Sequence, residues 1–291
     1  MRNTIHSLDI GRITQLIMRP NWPRERERPK VDLYPEATAI GRDGLLILKG
    51  LIEPQVCDRV VQNYSEYEQL LLEAGVRLRD SQNRNHRLTN FHLISAAAMQ
   101  IACDERIHEH LDEYFGRRSM VYTSLYFKHG SQQKPHLDTP FFVTNPIGWF
   151  AGVWVALEDV QPSAGPVQYF ARAHRLFDTR AKLRELHSGC QDLDTFFDRV
   201  AQRAAQVSEL TPALLKKGDV LIWHHGLPHG GRKAENLELT RHSLVFHMAA
   251  EGVNVRYSGL FEEPRSEMPR YGLSQHGART VARLKLPHVM Y

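Results

Sequence analysis

In the run Pro135-His136-Leu137-Asp138-Thr139 an imidazole and a carboxylate stand two residues apart. In an extended backbone, positions i and i+2 project from the same face, so His136 and Asp138 can reach one metal ion together. A third ligand is available far downstream in Gly218-Asp219-Val220-Leu221-Ile222-Trp223-His224-His225-Gly226-Leu227-Pro228-His229-Gly230. With His229 added, two imidazoles and one carboxylate hold one side of a metal and leave three positions open. Non-haem Fe(II) uses that arrangement to bind a co-substrate and dioxygen at the same time. His-x-Asp alone is a weak signal in a chain with 16 histidines, where a solvated histidine beside a turn aspartate is the ordinary outcome. His224 and His225 compete with His229 for the distal position.

A fourth residue strengthens the set. Arg241 lies 12 positions after His229, and adjacent antiparallel strands joined by a turn over 230–238 would aim its guanidinium into the same cavity. The guanidinium presents a fixed fork of donors that pairs bidentately with a carboxylate.

The surrounding chain must supply a rigid frame. Its 291 residues are 42% apolar and 24% charged, enough for a large buried core, and no run is long enough to span a bilayer. The N-terminus lacks the apolar stretch of a secretory signal. Cys57, Cys103 and Cys190 form neither a disulfide framework nor a zinc pattern, which fits a cytoplasmic protein. The formal charge of +4 suits anionic small molecules but does not identify a nucleic-acid binder.

Residues 1–36 carry seven basic and five acidic residues and are punctuated by Pro20, Pro23, Pro29 and Pro35; they read as an N-terminal arm. Residues 37–291 read as a single domain. Gly44 to Lys49 is a short strand, and Pro54 opens a helix whose apolar face is Val56, Val60, Tyr64, Tyr67 and Leu71, stopped at Gly75. A second helical stretch over 95–115 breaks at Asp104, a capping residue. Strands are expected at 121–128, 151–157, 167–170, 220–223 and 243–246, with a helical insertion over about 175–212 and a C-terminal segment over 251–291. Phe141, Phe142, Trp149 and Phe150 read as core. Short strands separated by turns and preceded by helices predict a mainly β fold, a double-stranded β-helix or cupin-like jelly roll over about 118–250 with a helical wall.

In this order the motifs resemble the phytanoyl-CoA dioxygenase family of Fe(II)/2-oxoglutarate oxygenases. The matching stretches are Phe127-Lys128-His129-Gly130 before His136-Leu137-Asp138, then Trp154-Val155-Ala156-Leu157-Glu158-Asp159-Val160, then Ala164-Gly165-Pro166 with Arg172-Ala173-His174, and Gly218-Asp219 leading to His229-Gly230-Gly231 and Arg241. The resemblance covers most of residues 40–250. It implies His136, Asp138 and His229 as iron ligands and Arg241 as the anchor of the 2-oxoglutarate carboxylate, and it selects His229 over His224 and His225. It also implies Trp154 beside the co-substrate, with Gln133 and Tyr126 lining the pocket. Lys128 and His174 are expected to support loops. Two positions depart from the family pattern: Leu137 stands where glutamine is common, and Gly231 where a hydroxyl residue is frequent.

The implied activity is oxidation of a C–H bond in a small molecule, using Fe(II), 2-oxoglutarate and O2 and releasing succinate and CO2, as in natural-product biosynthesis. Asp138 argues against a halogenase, whose relatives lack that carboxylate. The alternative is a cupin-like isomerase or a small-molecule binding protein, which would have no use for Arg241. Arginines in segments 75–94, 175–212 and 251–291, Arg87, Arg175 and Arg180 among them, suit a substrate with an anionic handle. The sequence assigns no membrane or nucleic-acid partner and no oligomeric state.

Overall fold

The computed structural model describes residues 37–78, 87–257, 272–283 and 288–290. The N-terminal arm and part of the C-terminal segment lie outside them. In chain order the strands are β1 (Leu45–Leu48), β2 (Arg87–Thr89), β3 (Ser119–Phe127), β4 (Phe142–Asn145), β5 (Phe150–Ala156), β6 (Val167–Phe170), β7 (Leu210–Pro212), β8 (Val220–His224), β9 (His229–Gly231), β10 (Ser243–Ala250), β11 (Asn254–Tyr257), β12 (Gly272–His276), β13 (Arg279–Arg283) and β14 (His288–Met290). The helices are α1 (Ala39–Asp43), α2 (Pro54–Glu73), α3 (Ala96–Ala102), α4 (Glu105–Phe115), α5 (Arg180–His187) and α6 (Leu193–Ala204).

A major sheet runs β1-β8-β5-β10-β3-β13-β12, with β2 also paired to β3 and β14 to β2. A smaller sheet runs β7-β6-β9, and β4 pairs with β11. The architecture is a jelly roll with a helical wall. Alternation along the major sheet divides its side chains between two faces. Val153, Val155, Ile222, Leu244 and Phe246 join Val56, Val60 and Tyr64 of α2 and Leu111 of α4 in the outer core. Trp154, Leu221, Trp223 and Val245 face inward with Tyr122, Leu125 and Phe127.

The local signals explain the wall. Pro54 occupies the first turn of α2, where a missing N–H costs nothing. The break at Asp104 is real: its carboxylate accepts the Arg106 N–H at 3.0 Å and starts α4, and Gly116 ends that helix in the left-handed region at φ +64°.

The insertion after β6 contributes α5 and α6, and their residues Leu183, Phe196, Phe197 and Val200 form a third cluster with Leu137, Val143 and Phe170. The expected insertion runs too far, because Leu210–Pro212 is strand β7, paired with β6. His229 and Arg241 also differ from expectation. They are not on neighbouring strands: β9 pairs with β6 in the smaller sheet, whereas Arg241 leads into β10, which lies between β3 and β5 in the major sheet. The chain therefore crosses from the smaller sheet to the major one between them. Among the described residues no helix is long and apolar enough to cross a membrane.

Candidate metal centre

His136 and His229 are joined by an antiparallel bridge between the segment after β3 and strand β9. Asp138 follows at a turn, its carbonyl accepting the N–H groups of Phe141 and Phe142 at 2.9 Å each. Leu137, between them, points the other way into the insertion cluster and is fully buried. The departure at this position thus supplies an apolar anchor that fixes the ligand loop against α6.

The three side chains converge. His136, Asp138 and His229 offer ligand atoms that all lie within 4.8 Å of one another, and all three residues are buried. Asp138 Oδ1 lies 3.9 Å from His136 Nε2 and 3.6 Å from His229 Nε2. Both rings are oriented from behind. His136 Nδ1 is 3.0 Å from the Lys134 carbonyl and His229 Nδ1 is 2.9 Å from the Leu227 carbonyl. With each Nδ1–H donated to a carbonyl, each Nε2 keeps its lone pair for the ion.

Protonation states agree with this assignment. Burial, with His229 nearby, pulls the His136 pKa down to about 4, so the ring is neutral at physiological pH. Burial by itself would raise the Asp138 pKa, but His229, His247 and His136 outweigh it and hold the carboxyl well below the usual range. A neutral His136 and an ionised Asp138 are what a divalent metal requires of such ligands, and with the His229 ring held in the same way by its Nδ1 contact the donor set fits Fe(II).

The outer oxygen of Asp138 has partners that sequence reading missed. Trp223 Nε1–H donates to Oδ2 at 2.9 Å, and His247 Nε2 lies 3.3 Å from the same atom. Both side chains are buried. The Trp223 ring packs on His229 with centroids 4.4 Å apart, and His247 stacks on Phe142 at 3.7 Å. Tryptophan in a β run carries no ligand signal, and His247 looks like any core histidine.

Arg241 is 2% exposed. Its Nη1 donates to the Gly165 carbonyl at 3.3 Å, while its Nε has no hydrogen-bond partner among the described residues. Burial lowers its pKa to about 10, with the charge of Glu158 opposing the shift. A buried guanidinium with spare donors is costly unless paired, and a carboxylate is its natural complement. Trp154 lies beside it: the guanidinium carbon is 5.7 Å from the Trp154 ring and 5.8 Å from that of Phe127. Arg87 approaches the same Phe127 ring at 5.7 Å.

Two pocket expectations change. Tyr126 faces outward: its ring stacks on Tyr64 of α2 at 4.0 Å and its hydroxyl lies 2.6 Å from His242 Nδ1. Its strand neighbours Leu125 and Phe127 take the inward side, as pleating demands. Gln133 is half-buried and approaches β9 through its backbone, its carbonyl accepting the Gly231 N–H at 2.8 Å. Gly231 has a steric cause, since a Cβ there would lie 2.6 Å from Ser131 Oγ.

His224 and His225 stand apart from the cluster. Their rings are 4.3 Å from each other, and His224 is 4.7 Å from His174. His224 Nδ1 accepts the Gly226 N–H at 2.9 Å, and His174 Nε2 lies 3.0 Å from the Gly41 carbonyl. His174 thus ties the loop after β6 to α1, and Lys128 Nζ pairs with Glu68 of α2 at 2.7 Å. Phe197 of α6 lies 5.8 Å from His136 and Phe141 lies 6.5 Å from it. Phe141 is not core as expected but 38% exposed.

The sequence model of the phytanoyl-CoA dioxygenase (PhyH) family matches residues 40–243. Phytanoyl-CoA dioxygenase domain-containing protein 1 of Danio rerio is 32% identical over 120 residues, 41% of this chain and 40% of the relative. Its Mus musculus counterpart is 24% identical over 141 residues, 48% and 47% of the two chains. The chain spans less than half the length of these curated relatives. The fold is similar to that of the epimerase SnoN in complex with Fe3+, alpha ketoglutarate and nogalamycin RO, with a TM-score of 0.56 and 19% identity over 84% of this chain and 95% of that one. It is similar also to EctD from S. alaskensis with 2-oxoglutarate and 5-hydroxyectoine, with a TM-score of 0.57 and 16% identity over 84% and 91%.

Proposed function

The chain belongs to the phytanoyl-CoA dioxygenase family, and from that premise we propose that it is an Fe(II)/2-oxoglutarate-dependent dioxygenase that hydroxylates a C–H bond of a small molecule. One observation carries the reading: the chain that buries a cluster of two imidazoles and one carboxylate also buries Arg241, whose Nε has no hydrogen-bond partner among the described residues. A cupin-like isomerase or a binding protein would need the first but not the second.

His136, Asp138 and His229 hold the metal in this reading. Arg241 pairs with the distal carboxylate of 2-oxoglutarate, with Trp154 packed alongside and Arg87 adding positive charge across Phe127. Gln133 lines the approach next to β9. When bound, iron supplies the oxidising chemistry, with O2 and 2-oxoglutarate consumed and succinate and CO2 released. The protein contributes ligand geometry, charge neutralisation and the exclusion of water by Phe197 and the inward face of the major sheet.

The substrate is read as an acidic metabolite or natural-product intermediate with an apolar body. Phe141 and Phe197, with ring centroids 5.9 Å apart beside His136, suit the body, and the basic balance of the chain suits an anionic handle. Residues 37–291 form a single oxygenase domain in this reading, acting in the cytoplasm without a membrane or nucleic-acid partner. The experiment is succinate formation from 2-oxoglutarate under air with added Fe(II), run against a metabolite panel with 18O2. Succinate that needs iron, together with label in the product, supports hydroxylation; metal binding without any response to 2-oxoglutarate favours the binding protein.

A further inference from the structure

Three residues behind the metal cluster share one cross-strand row. Trp223 of β8 is paired with Gly152 of β5, and Gly152 is paired with His247 of β10. Trp223 and His247 therefore flank a residue with no side chain. Across that gap both reach the same atom, Asp138 Oδ2, at 2.9 Å and 3.3 Å. Gly152 has no conformational need to be glycine, for it lies within a regular strand. Its need is steric: a Cβ at 152 would fall inside the Trp223 indole, against Cε2 and Nε1. A glycine inside a strand weakens the strand and commonly marks a close approach of another group. Here that group is the indole that holds the carboxylate.

We propose that the row Trp223-Gly152-His247 is a positioning device that restricts Asp138 to coordination through Oδ1 alone. The inference rests on the metal-binding reading above. A carboxylate can bind an ion through one oxygen or two. Two imidazoles and one carboxylate oxygen would leave the remaining positions of a bound ion to 2-oxoglutarate and dioxygen, and a second carboxylate oxygen would compete for them. The indole N–H directed at Oδ2, with His247 behind it, holds that oxygen turned away. Each of the three residues is a positioning residue, because none of them reaches the metal side of the carboxylate.

The test uses the full-length protein and two readouts besides turnover. Anaerobic calorimetric titration with Fe(II) measures ion affinity. Nitric oxide added to the Fe(II)/2-oxoglutarate complex, followed by electron paramagnetic resonance, measures whether the dioxygen position is open. Trp223→Phe keeps an aromatic ring and loses the donor; Gly152→Ala keeps the Trp223 and His247 side chains and displaces the indole; His247→Phe removes the second contact. Trp149→Phe, in the outer core, controls for the packing cost of shortening a tryptophan. Outer partners of metal ligands are worth about 10–100-fold in metal affinity. Trp223→Phe and Gly152→Ala are expected to show a loss of that size and a weaker nitrosyl signal at saturating iron, with Trp149→Phe like wild type. Wild-type affinity and a full nitrosyl signal in Trp223→Phe overturn the positioning role and leave the oxygenase reading intact. A wild-type protein that does not bind Fe(II) overturns that reading, and this one with it. Should Gly152→Ala fail to fold, Trp223→Phe decides the matter alone.

Discussion

His136 and His229 exchange both of their backbone hydrogen bonds, the His136 N–H donating to the His229 carbonyl at 2.8 Å and the His229 N–H to the His136 carbonyl at 3.0 Å. The two imidazoles are thus set by main chain as well as by side chain. It follows that His136→Ala, Asp138→Ala and His229→Ala remove a ligand without removing the bridge. Each is expected to weaken Fe(II) binding by more than about 100-fold, beyond the upper end of what outer partners cost, and to abolish 2-oxoglutarate turnover. The far-ultraviolet circular dichroism should stay unchanged. His225→Ala should keep its iron, and full activity in Asp138→Ala would contradict the assignment.

Arg241 gives a prediction with two signs. Arg241→Ala should raise the apparent Michaelis constant for 2-oxoglutarate by two orders of magnitude or more, since breaking a buried charge pair on one side costs about 3–5 kcal/mol. Arg241→Lys should recover part of that as a point charge. Arg241→Met, without a buried charge, is expected to melt at a higher temperature than wild type when no ligand is present, yet to gain nothing from added 2-oxoglutarate. Differential scanning calorimetry with and without the 2-oxo acid checks both halves.

Acid should weaken the fold through its buried histidines. Burial, with the charge of His276, depresses the His92 pKa to about 3, and burial with His174 does the same for His225. In the unfolded chain both titrate near 6.5. Their contribution is complete above that value, where neither state carries the proton. It is lost as pH falls from about 6.5 toward 3, because only the unfolded chain takes up protons there. The loss is on the order of a few kcal/mol for each ring at the acid end, and urea midpoints measured between pH 7 and pH 4 should fall accordingly. A flat profile would mean that these rings charge freely in the folded state.

Gly230 and Gly231 form the tight side of strand β9. A Cβ at 230 would lie 2.6 Å from the Gln133 carbonyl oxygen and one at 231 would lie 2.6 Å from Ser131 Oγ. Gly231→Ser, which restores the residue type frequent in the family, should therefore destabilise this chain by about 1–3 kcal/mol, the usual cost of overpacking. Ser131→Gly in the same protein should return part of the loss, as a double-mutant cycle in denaturant will read.

Local grammar made much of this legible in the sequence. The periodicity of α2, the cap at Asp104 and the strand runs all follow from neighbours in the chain, and the His-x-Asp pair is local too. What remained hidden depends on pairing between distant strands. The outward turn of Tyr126 is a matter of which pleat faces the helices, and a one-residue change of register would reverse it. The row of Trp223, Gly152 and His247 exists only after β8, β5 and β10 are aligned. In the sequence a turn between His229 and Arg241 looks like a hairpin, whereas the chain crosses from one sheet to the other.

The bridge between His136 and His229 also has a polymer consequence. One ion bound to residues 136, 138 and 229 would be a cross-link closing a long stretch of chain that contains β4 to β8 and the whole helical insertion. The entropy of an open loop grows with the logarithm of its length, so a clasp at this position removes more disorder from the unfolded ensemble than a short-range one. Loading with metal should then slow the release of α5 and α6 as a unit, and limited proteolysis in the segment between those helices would report occupancy of a centre the protease never touches.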